Sequence, residues 1–313
     1  MASPLISVVI PTYNRPRALE RCLASLAQVD HPGSDLEVIV VNDGGVALTP
    51  ETQVQFESAL RLTVVTQANR GPSAARNAGV KKAQGEFVAL LDDDCLVPRD
   101  WFTSLNAAVR KSPDAMIGGR TENLLRDNKY ARASQLLVDY VYRYYDGSPE
   151  RPRFFASNNF TVPVALFREI GGFDERFRAA EDREFCRRWN AAGFRMVYDE
   201  SVVVMHAHEL GPVSLHAQHF TYGRGAYPFW KEAAGQFRIE PFGFYAGMVT
   251  FPFERRTKSA PLLAALTLST QVANAAGFFY EMTRQLLLHR SSALVDDPVL
   301  HHEGHTLSDV NIV

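Results

Sequence analysis

The chain has 313 residues, of which 46% are hydrophobic, so it can bury a sizeable core and is not disordered by composition. Its 33 basic residues nearly balance 35 acidic ones, and the net charge of -2 gives no electrostatic reason to expect a nucleic acid as a partner. The three cysteines lie far apart without a CxxC pair, which argues against disulfides and zinc sites and favours a reducing, cytoplasmic location.

The first half of the chain alternates short apolar runs with helical patterns. The runs predict strands at residues 5–10, 36–41, 62–66 and 87–91. Helices are predicted from Pro16 onward, over residues 72–83 and over residues 101–110. This order is typical of a mostly parallel, Rossmann-like α/β sheet flanked by helices, in which ligands bind beyond the carboxyl ends of the strands.

The second half of the chain is less regular. We predict a strand at 154–162, a turn at 171–175, a helix at 181–192 and a strand at 202–205, with polar loops at 146–153 and 296–313. We divide the chain into a catalytic domain over residues 1–210, a helical C-terminal extension over 211–295 and a loose tail over 296–313. Within the catalytic domain, residues 1–120 and 121–210 form two halves.

The stretch from residue 259 to 280 carries no charge and is long enough to suggest a membrane helix. Over residues 261–288 apolar residues recur at steps of three, four and seven, which predicts one helical face. Three alternatives stay open: a helix packed on the catalytic domain or on a second subunit, a helix lying on a membrane surface, and a spanning helix. Asn274 and Glu281 argue against spanning, whereas Arg255, Arg256 and Lys258 suit anionic lipid head groups.

Three adjacent acids, Asp92, Asp93 and Asp94, directly follow the fourth predicted strand. Their carboxylates repel one another, and a hard divalent cation such as Mg²⁺ or Mn²⁺ would relieve that repulsion. Because alternate residues of an extended chain face the same side, we expect Asp92 and Asp94 to share one site and Asp93 to point elsewhere. The alternative is a solvated acidic turn.

Two polar segments at strand ends suit a nucleotide. Asp43 follows the second strand in an Asn-Asp-Gly-Gly sequence, where it either accepts hydrogen bonds from a base or a ribose or simply forms a turn. The segment from Asn69 to Gly79 opens a helix whose amino terminus, together with Arg76, suits phosphate oxygens. Its small residues also suit close packing of the helix on the sheet.

Two further pairs of ionisable residues stand near element ends. Glu181 and Asp182 open a helix, where they either cap it or remove a proton from an acceptor hydroxyl. His206 and His208 follow a strand on one face, where one of them either completes a metal site or packs as part of a polar pair.

Taken in order, these segments resemble glycosyltransferase family 2, whose members have the GT-A fold. Residues 7–15 look like the family's first strand and loop. Residues 40–45 are similar to its VVDDGS segment, with Asn42 in place of the first acid and Gly45 in place of the serine. The later matches are NxGxxxARNxG at residues 69–79, LDxD at 91–94, and GGFDE followed by ED at 171–182. The resemblance covers residues 5–208.

The resemblance implies an inverting transferase that moves a sugar from a nucleotide-diphosphate donor, which we expect to be UDP-linked, to an acceptor hydroxyl in polysaccharide, glycoconjugate or glycolipid synthesis. It implies that Asp182 is the base and that Asp94 binds Mn²⁺ or Mg²⁺, with His206 or His208 completing the metal site. The predicted nucleotide-binding residues are Pro11, Thr12, Tyr13, Asn14, Arg15, Asp43, Asn69, Arg76, Asp92 and Asp93. The predicted acceptor-binding residues are Asn158, Asn159, Glu181 and Trp230.

The expected partners are the donor and a carbohydrate or lipid-linked acceptor, while peripheral contact with the inner face of a membrane and homo-oligomer formation stay open. One rival function is that of a sugar nucleotidyltransferase, a class that usually has a glycine-rich loop after its first strand, which residues 11–15 lack. Another is a non-catalytic carbohydrate-binding or scaffold subunit. Such a subunit would tolerate the loss of its acids, yet Asp94 and Asp182 are both present.

Overall fold

The computed structural model describes residues 5–31, 35–145, 154–232, 240–257 and 259–295, with side chains up to residue 288. The strands are β1 Ile6–Thr12, β2 Leu36–Asn42, β3 Leu62–Thr66, β4 Phe87–Leu90, β5 Cys95–Leu96, β6 Ala115–Asn123, β7 Phe160–Pro163 and β8 Arg195–His206. The helices are α1 Pro16–Leu26, α2 Pro50–Glu57, α3 Pro72–Lys82, α4 Trp101–Lys111, α5 Lys129–Tyr145, α6 Val164–Glu169, α7 Glu181–Ala191, α8 Pro212–Glu232, α9 Phe242–Glu254 and α10 Ala260–Val295.

In the described part of the chain, the strands form one sheet in the order β3-β2-β1-β4-β7-β6-β8-β5. β3, β2, β1 and β4 are mutually parallel, and β6 and β8 are also parallel. β7 runs antiparallel between β4 and β6, and β5 pairs antiparallel with the end of β8. The predicted mostly parallel sheet, flanked by helices and followed by a helical extension, is confirmed.

The central strands are buried on both faces, which explains their continuous apolar sequences. On one face Val8 and Val38 pack in a cluster with residues of α1 and α4. On the other face Val9 and Ile39 pack with residues of α3 and α7, including the fully buried Trp189. Successive residues of one strand therefore belong to different cores, and the sheet is a rigid base for the loops at its edge.

Some elements differ from the prediction. The strand expected at 154–162 begins only at Phe160, because the chain turns at residues 157–158 and the Asn159 N–H donates to the Ala156 carbonyl. β6 was not predicted, since its Gly118-Gly119 pair resembles a turn in sequence. The loops predicted at 146–153 and 296–313 lie outside the described residues.

The C-terminal helices pack on one another and on α5. α8 lies along α10, while the aromatic side chains of Tyr140, Phe244 and Phe251 form a separate cluster between α5 and α9. The division of the chain into a catalytic domain and an extension stays a prediction.

Candidate functional site

Three parallel strands end side by side at one edge of the sheet. β1 pairs in register with β2 on one side and with β4 on the other, so their carboxyl ends at Thr12, Asn42 and Leu90 point the same way. The loops that follow these strands carry Arg15, Asp43 and the acidic triplet. The structure thus brings together, at the edge where open parallel sheets bind ligands, segments that lie far apart in the sequence.

The acidic triplet divides between two arginines. Asp93 and Asp94 are buried and bind the guanidinium of Arg15 at 2.9 and 2.7 Å, whereas Asp92 accepts a hydrogen bond from Arg76 at 2.8 Å. The prediction that Asp92 and Asp94 share one site while Asp93 points elsewhere is therefore wrong. The alternation of an extended strand does not apply, because β4 has already ended where the chain turns through the triplet.

The two buried acids of the triplet differ in pKa. Burial raises the pKa of Asp93 to about 6, against the lowering effects of Arg15 and of a 2.7 Å hydrogen bond from Thr12 Oγ1. Burial also acts to raise the pKa of Asp94, but His206 and Arg15 outweigh it and hold that pKa below its ordinary value. Asp94 is therefore an anion at neutral pH, with Arg15 and His206 as its charged and hydrogen-bonding partners.

His206 lies beside Asp94. β5 sets Cys95 opposite His206 at the end of β8, and His206 Nε2 lies 3.1 Å from Asp94 Oδ1. Although burial lowers the pKa of His206, the hydrogen bond and charge of Asp94 raise it above its ordinary value. The His208 ring centre is 4.7 Å from that of His206, and His208 contacts Gln218 at 3.3 Å. Burial and the His206 charge lower the pKa of His208 to about 4, so that it is neutral.

The Asp94 and His206 side chains fit a hard divalent cation. Adjacent ligands of an octahedral ion with bonds of about 2.1 Å are about 3 Å apart, close to the 3.1 Å between Asp94 Oδ1 and His206 Nε2. The Cys95 thiol lies within 4.8 Å of both atoms. Burial raises the pKa of that thiol well above its ordinary value, which makes it a poor ligand. The remaining oxygen and nitrogen donors suit Mn²⁺ and, less well, Mg²⁺.

Arg76 is a buried cation held between two carboxylates. Its guanidinium donates to Asp92 at 2.8 Å and to Glu181 at 2.9 Å, and it lies over the Phe173 ring at 5.7 Å. Removing one partner of a buried pair leaves an uncompensated charge. These ion pairs therefore fix α3, the end of β4 and the start of α7 relative to one another. Arg76 and Glu181, which the sequence analysis assigned to different ligands, contact each other in the structure.

Asp182 opens α7 with its carboxylate half-buried. Its Oδ1 accepts a hydrogen bond from the Arg183 N–H at 2.8 Å, and burial together with the Glu181 charge raises its pKa to about 7. A carboxyl group that titrates near neutral pH is suited to accepting a proton from a substrate.

Tyr222 of α8 lies in the same charged environment, although the sequence analysis assigned it no role. Although 45% of the residue is exposed, burial of its hydroxyl raises the pKa of the phenol, and the charges of Asp182 and Glu181 raise it further. Its hydroxyl oxygen accepts a hydrogen bond from Gln218 at 2.7 Å. The only signal in the sequence was its place in an aromatic-rich segment, which is equally typical of a core.

Asp43 holds the loop that enters α3. Its Oδ1 accepts hydrogen bonds from Gln67 Nε2 at 2.7 Å and from the Arg70 N–H at 2.9 Å, and its Oδ2 accepts from the Gly71 N–H at 2.8 Å. Gly44, at φ +81°, passes so close to this loop that a Cβ would lie 2.9 Å from the Asn69 nitrogen. A carboxylate has about four acceptor positions, so these three hydrogen bonds leave one acceptor position of Asp43 free.

The loop after β1 leaves an open surface beside these acids. Pro11 is still part of β1, and Tyr13 is 49% exposed. Asn14, at φ +57°, accepts a hydrogen bond from the Val46 N–H at 2.9 Å and so connects this loop to the one after β2. Asn69 is also exposed. The predicted nucleotide-binding residues of this loop and Asn69 therefore lie along one accessible edge of the sheet.

The predicted acceptor residues are placed differently from one another. Asn158 precedes β7 next to the end of β4, and its buried Oδ1 has no hydrogen-bond partner among the described residues. Asn159 instead stabilises the sheet, because its Nδ2 donates to the carbonyls of Arg120 at 3.0 Å and Val202 at 3.3 Å. Trp230 lies on α8 and is partly buried.

The sequence matches known glycosyltransferases over most of this fold. Residues 7–201 match the family model of glycosyl transferase family 2. The glycosyltransferase AglE of Haloferax volcanii is 25% identical over 230 residues, 72% of this chain and 74% of that protein. The pre-mycofactocin glycosyltransferase of Mycobacterium tuberculosis is 32% identical over 233 residues, 71% of this chain and 47% of that protein. Validoxylamine A glucosyltransferase of Streptomyces hygroscopicus subsp. limoneus is 30% identical over 223 residues, 62% of this chain and 49% of that protein. The chain spans about half the length of the last two relatives.

Solved structures share the fold at low identity. The mannosyltransferase PcManGT from Pyrobaculum calidifontis, in complex with GDP-Man and Mn²⁺, superposes with a TM-score of 0.59 at 21% identity, over 95% of this chain and 82% of that one. S. aureus TarS 1-349, in complex with UDP-GlcNAc, gives a TM-score of 0.53 at 17% identity, over 90% of this chain and 92% of that one. With the family model covering more than half of its length, the chain belongs to glycosyltransferase family 2 and has the GT-A fold.

Proposed function

We propose that this chain is an inverting, metal-dependent transferase that moves a sugar from a nucleotide-diphosphate donor to an acceptor hydroxyl. The observation that carries the proposal is the presence of two chemical groups at one sheet edge, the Asp94–His206 pair and the half-buried Asp182. Arg76 forms ion pairs with Asp92 and Glu181, which lie next to these groups in the sequence. The first group would hold a metal ion that stabilises the leaving diphosphate. The second would accept the proton of the incoming hydroxyl.

On the donor side, we assign the nucleoside to the loop after β1, Asp43, Asn69 and Asp92. The acceptor position that Asp43 keeps free suits the ring N–H of a uracil, so a UDP-linked donor is our first expectation. Guanine also presents a ring N–H, and among the structural neighbours PcManGT is in complex with GDP-Man and TarS with UDP-GlcNAc. A screen of both nucleotides is therefore part of the test.

Asp94 and His206 would hold the metal ion, with His208 as the alternative to His206. A bound Mn²⁺ or Mg²⁺ supplies positive charge that stabilises the diphosphate as it leaves. Arg15 already supplies positive charge to Asp93 and Asp94, and its side chain is 46% exposed. It is therefore placed to exchange a carboxylate for a phosphate oxygen when the donor binds.

On the acceptor side, we assign Asp182 as the general base. Its pKa of about 7 keeps a large fraction ionised at neutral pH while leaving it basic enough to accept the hydroxyl proton. The hydroxyl oxygen then forms its bond to the anomeric carbon as the bond to the diphosphate breaks, on the opposite face of the sugar. A single displacement of this kind inverts the configuration.

A cavity close to the start of α7 is our candidate for the acceptor entrance. A cavity of about 540 Å³ lies between β6, α5, β8 and α9 and is lined by charged and aromatic side chains that include Arg120, Tyr142 and Phe154. Arg183, the neighbour of Asp182, lies over the Phe154 ring at 5.2 Å. Polar and aromatic walls suit a carbohydrate or a glycolipid head group, and we propose that the acceptor enters here, in polysaccharide, glycoconjugate or glycolipid synthesis in the cytoplasm.

The proposal is tested by measuring release of nucleoside diphosphate from UDP- and GDP-sugars, with Mn²⁺ and with excess chelator. We expect release from one donor class that the chelator abolishes, and a product whose anomeric configuration, read by NMR, is opposite to that of the donor. Release of pyrophosphate from a nucleoside triphosphate would indicate a nucleotidyltransferase instead. Donor binding without any turnover, with a panel of acceptors, would indicate a binding subunit.

A further inference from the structure

The inward face of α10 carries most of its polar residues. His216 of α8 lies 3.0 Å from the Ser269 hydroxyl, and Arg224 of α8 donates to Glu281 at 3.1 Å. Gly223 of α8 passes so close that a Cβ would lie 1.9 Å from the Asn274 carbonyl oxygen. Thr267, Thr270 and Glu281 are all at least 95% buried. Apart from Thr283 and Arg284, which are exposed, the polar residues that interrupt the apolar sequence of α10 are thus at least partly buried against the protein.

The outward face of α10 is apolar. The large side chains along it are 43–67% exposed: Leu262, Leu268, Val272, Phe279 and Leu286. Ala265, Ala275 and Thr283 fill the steps of three and four between them and are exposed as well. From residue 260 to 283 Glu281 is the only charged residue, and it faces inward. A surface helix of a water-soluble protein has the opposite arrangement.

The sequence analysis predicted one apolar face for this helix, and the structure divides those residues. Leu263 is fully buried, whereas Phe279 is 59% exposed. In the described residues, 260–288 form the one helix long and apolar enough by composition to cross a membrane, with a mean hydropathy of 1.4, and only 28% of its most apolar window is buried. A continuous exposed ridge about 36 Å long, at 1.5 Å per residue from Leu262 to Leu286, marks an interaction surface rather than scattered apolar residues.

The flanking residues indicate which partner fits this ridge. Arg255 and Arg256 are exposed in the short segment between α9 and α10, and exposed aromatic residues precede them on α9, with Phe242 85% and Phe253 51% exposed. Cations and aromatic side chains bordering an apolar face are typical of helices that lie in the head-group region of a bilayer. A second copy of the chain fits less well, since the exposed positions of 260–288 carry no acid to meet the arginines of the other copy.

We propose that the outward face of α10 docks on the surface of a bilayer that contains anionic lipids. The helix lies in the plane of the membrane and does not cross it, because its inward face is held by the polar contacts with α8. Leu268, Val272 and Phe279 enter the acyl boundary, while Arg255 and Arg256 meet the phosphate groups of the lipids. This inference rests on α10 and its flanks and is independent of the donor chemistry.

The test is flotation of the full chain with vesicles of equal parts phosphatidylcholine and phosphatidylglycerol, compared with phosphatidylcholine alone. The double variant Leu268→Glu/Val272→Glu should partition at least about tenfold more weakly into anionic vesicles, because two anchoring side chains become charged. The control is Val54→Glu on α2, a valine that is 64% exposed compared with 67% for Val272, and it should float like the unmodified protein.

The double variant Arg255→Gln/Arg256→Gln tests the charged residues. It should weaken binding to anionic vesicles by roughly 30-fold and leave the weak binding to neutral vesicles unchanged.

Circular dichroism and the melting temperature establish that each variant is folded. The proposal is overturned if the unmodified protein does not float, or if folded Leu268→Glu/Val272→Glu floats as well as Val54→Glu does. Sedimentation adds a third decisive result. A dimer that the double variant converts to a monomer, without vesicle binding by either, would assign the ridge to a second copy of the chain.

Discussion

At the edge formed by β1, β2 and β4 the protein buries charged side chains, whereas along α10 it exposes apolar ones. Arg76, Asp93 and Asp94 are at most 4% exposed, while Val272 and Phe279 are more than half exposed. Both arrangements are unfavourable for an isolated protein. The charges at the edge are offset by one another within the chain, but in the described part of the protein the ridge of α10 has no such cover. The buried charges at the edge are therefore paired within the chain, whereas the apolar side chains of the ridge have no such partners.

The comparison predicts that the largest losses of activity come from substitutions that change one functional group near this edge. Asp182→Asn keeps the shape of the side chain but removes the base, and transfer should fall by about 10²–10⁴-fold. In the unmodified enzyme, kcat/KM should rise with pH through about 7, because the raised pKa means that Asp182 is protonated and inactive below it. The residual activity of the variant should lack this rise, and donor binding measured by calorimetry should be unchanged. A variant that keeps the same pH step would reassign the base.

Asp94→Asn weakens the proposed metal site, and turnover should fall by roughly 10²–10³-fold, the usual loss when one group that stabilises developing charge is removed. Titration with Mn²⁺ should show weaker affinity in the same variant. The matched control is Asp100→Asn, an exposed acid at the start of α4 whose side chain makes no capping hydrogen bond. Equal turnover of the two variants would show that Asp94 has no part in catalysis.

Arg76→Met tests whether the buried charges depend on one another. The change leaves Asp92 and Glu181 without their shared cation, and the free energy of unfolding should fall by about 3 kcal/mol. Urea denaturation at neutral pH measures it. A loss below about 1 kcal/mol would mean that the buried carboxylates do not depend on Arg76 for their stability.

Val272→Glu provides the opposite case. Its side chain is already in water, so the substitution should change the free energy of unfolding by less than about 0.5 kcal/mol, although it is expected to weaken membrane binding. Thermal melts of this variant and of Val54→Glu should coincide. A much larger loss for Val272→Glu would show that the ridge is covered within the protein.

The two regions also differ in how far they can be predicted from sequence. The strands of the edge are continuous β-branched runs, and the acids directly follow them. That these acids lie at the same edge therefore follows from the parallel arrangement of the strands alone. The partners of those acids do not, because Arg15 is 79 residues from Asp94 and Arg76 is 105 residues from Glu181. For α10, periodicity predicts that two faces exist but not which one the protein covers. Contacts with Gly223 and Arg224 of α8 decide that, and they are tertiary.

The central claim is that Asp94 and its neighbours bind a nucleotide-diphosphate sugar together with a divalent metal ion. The most direct test is the melting temperature of the protein with UDP- and GDP-sugars, each with Mn²⁺ and with excess chelator, for the unmodified chain and for Asp94→Asn. The account predicts that one nucleotide class raises the melting temperature of the unmodified chain, that the rise is largest with Mn²⁺, and that Asp94→Asn loses the part due to the metal. Stabilisation that is the same in chelator and in Asp94→Asn, or that no nucleotide sugar produces, would contradict it.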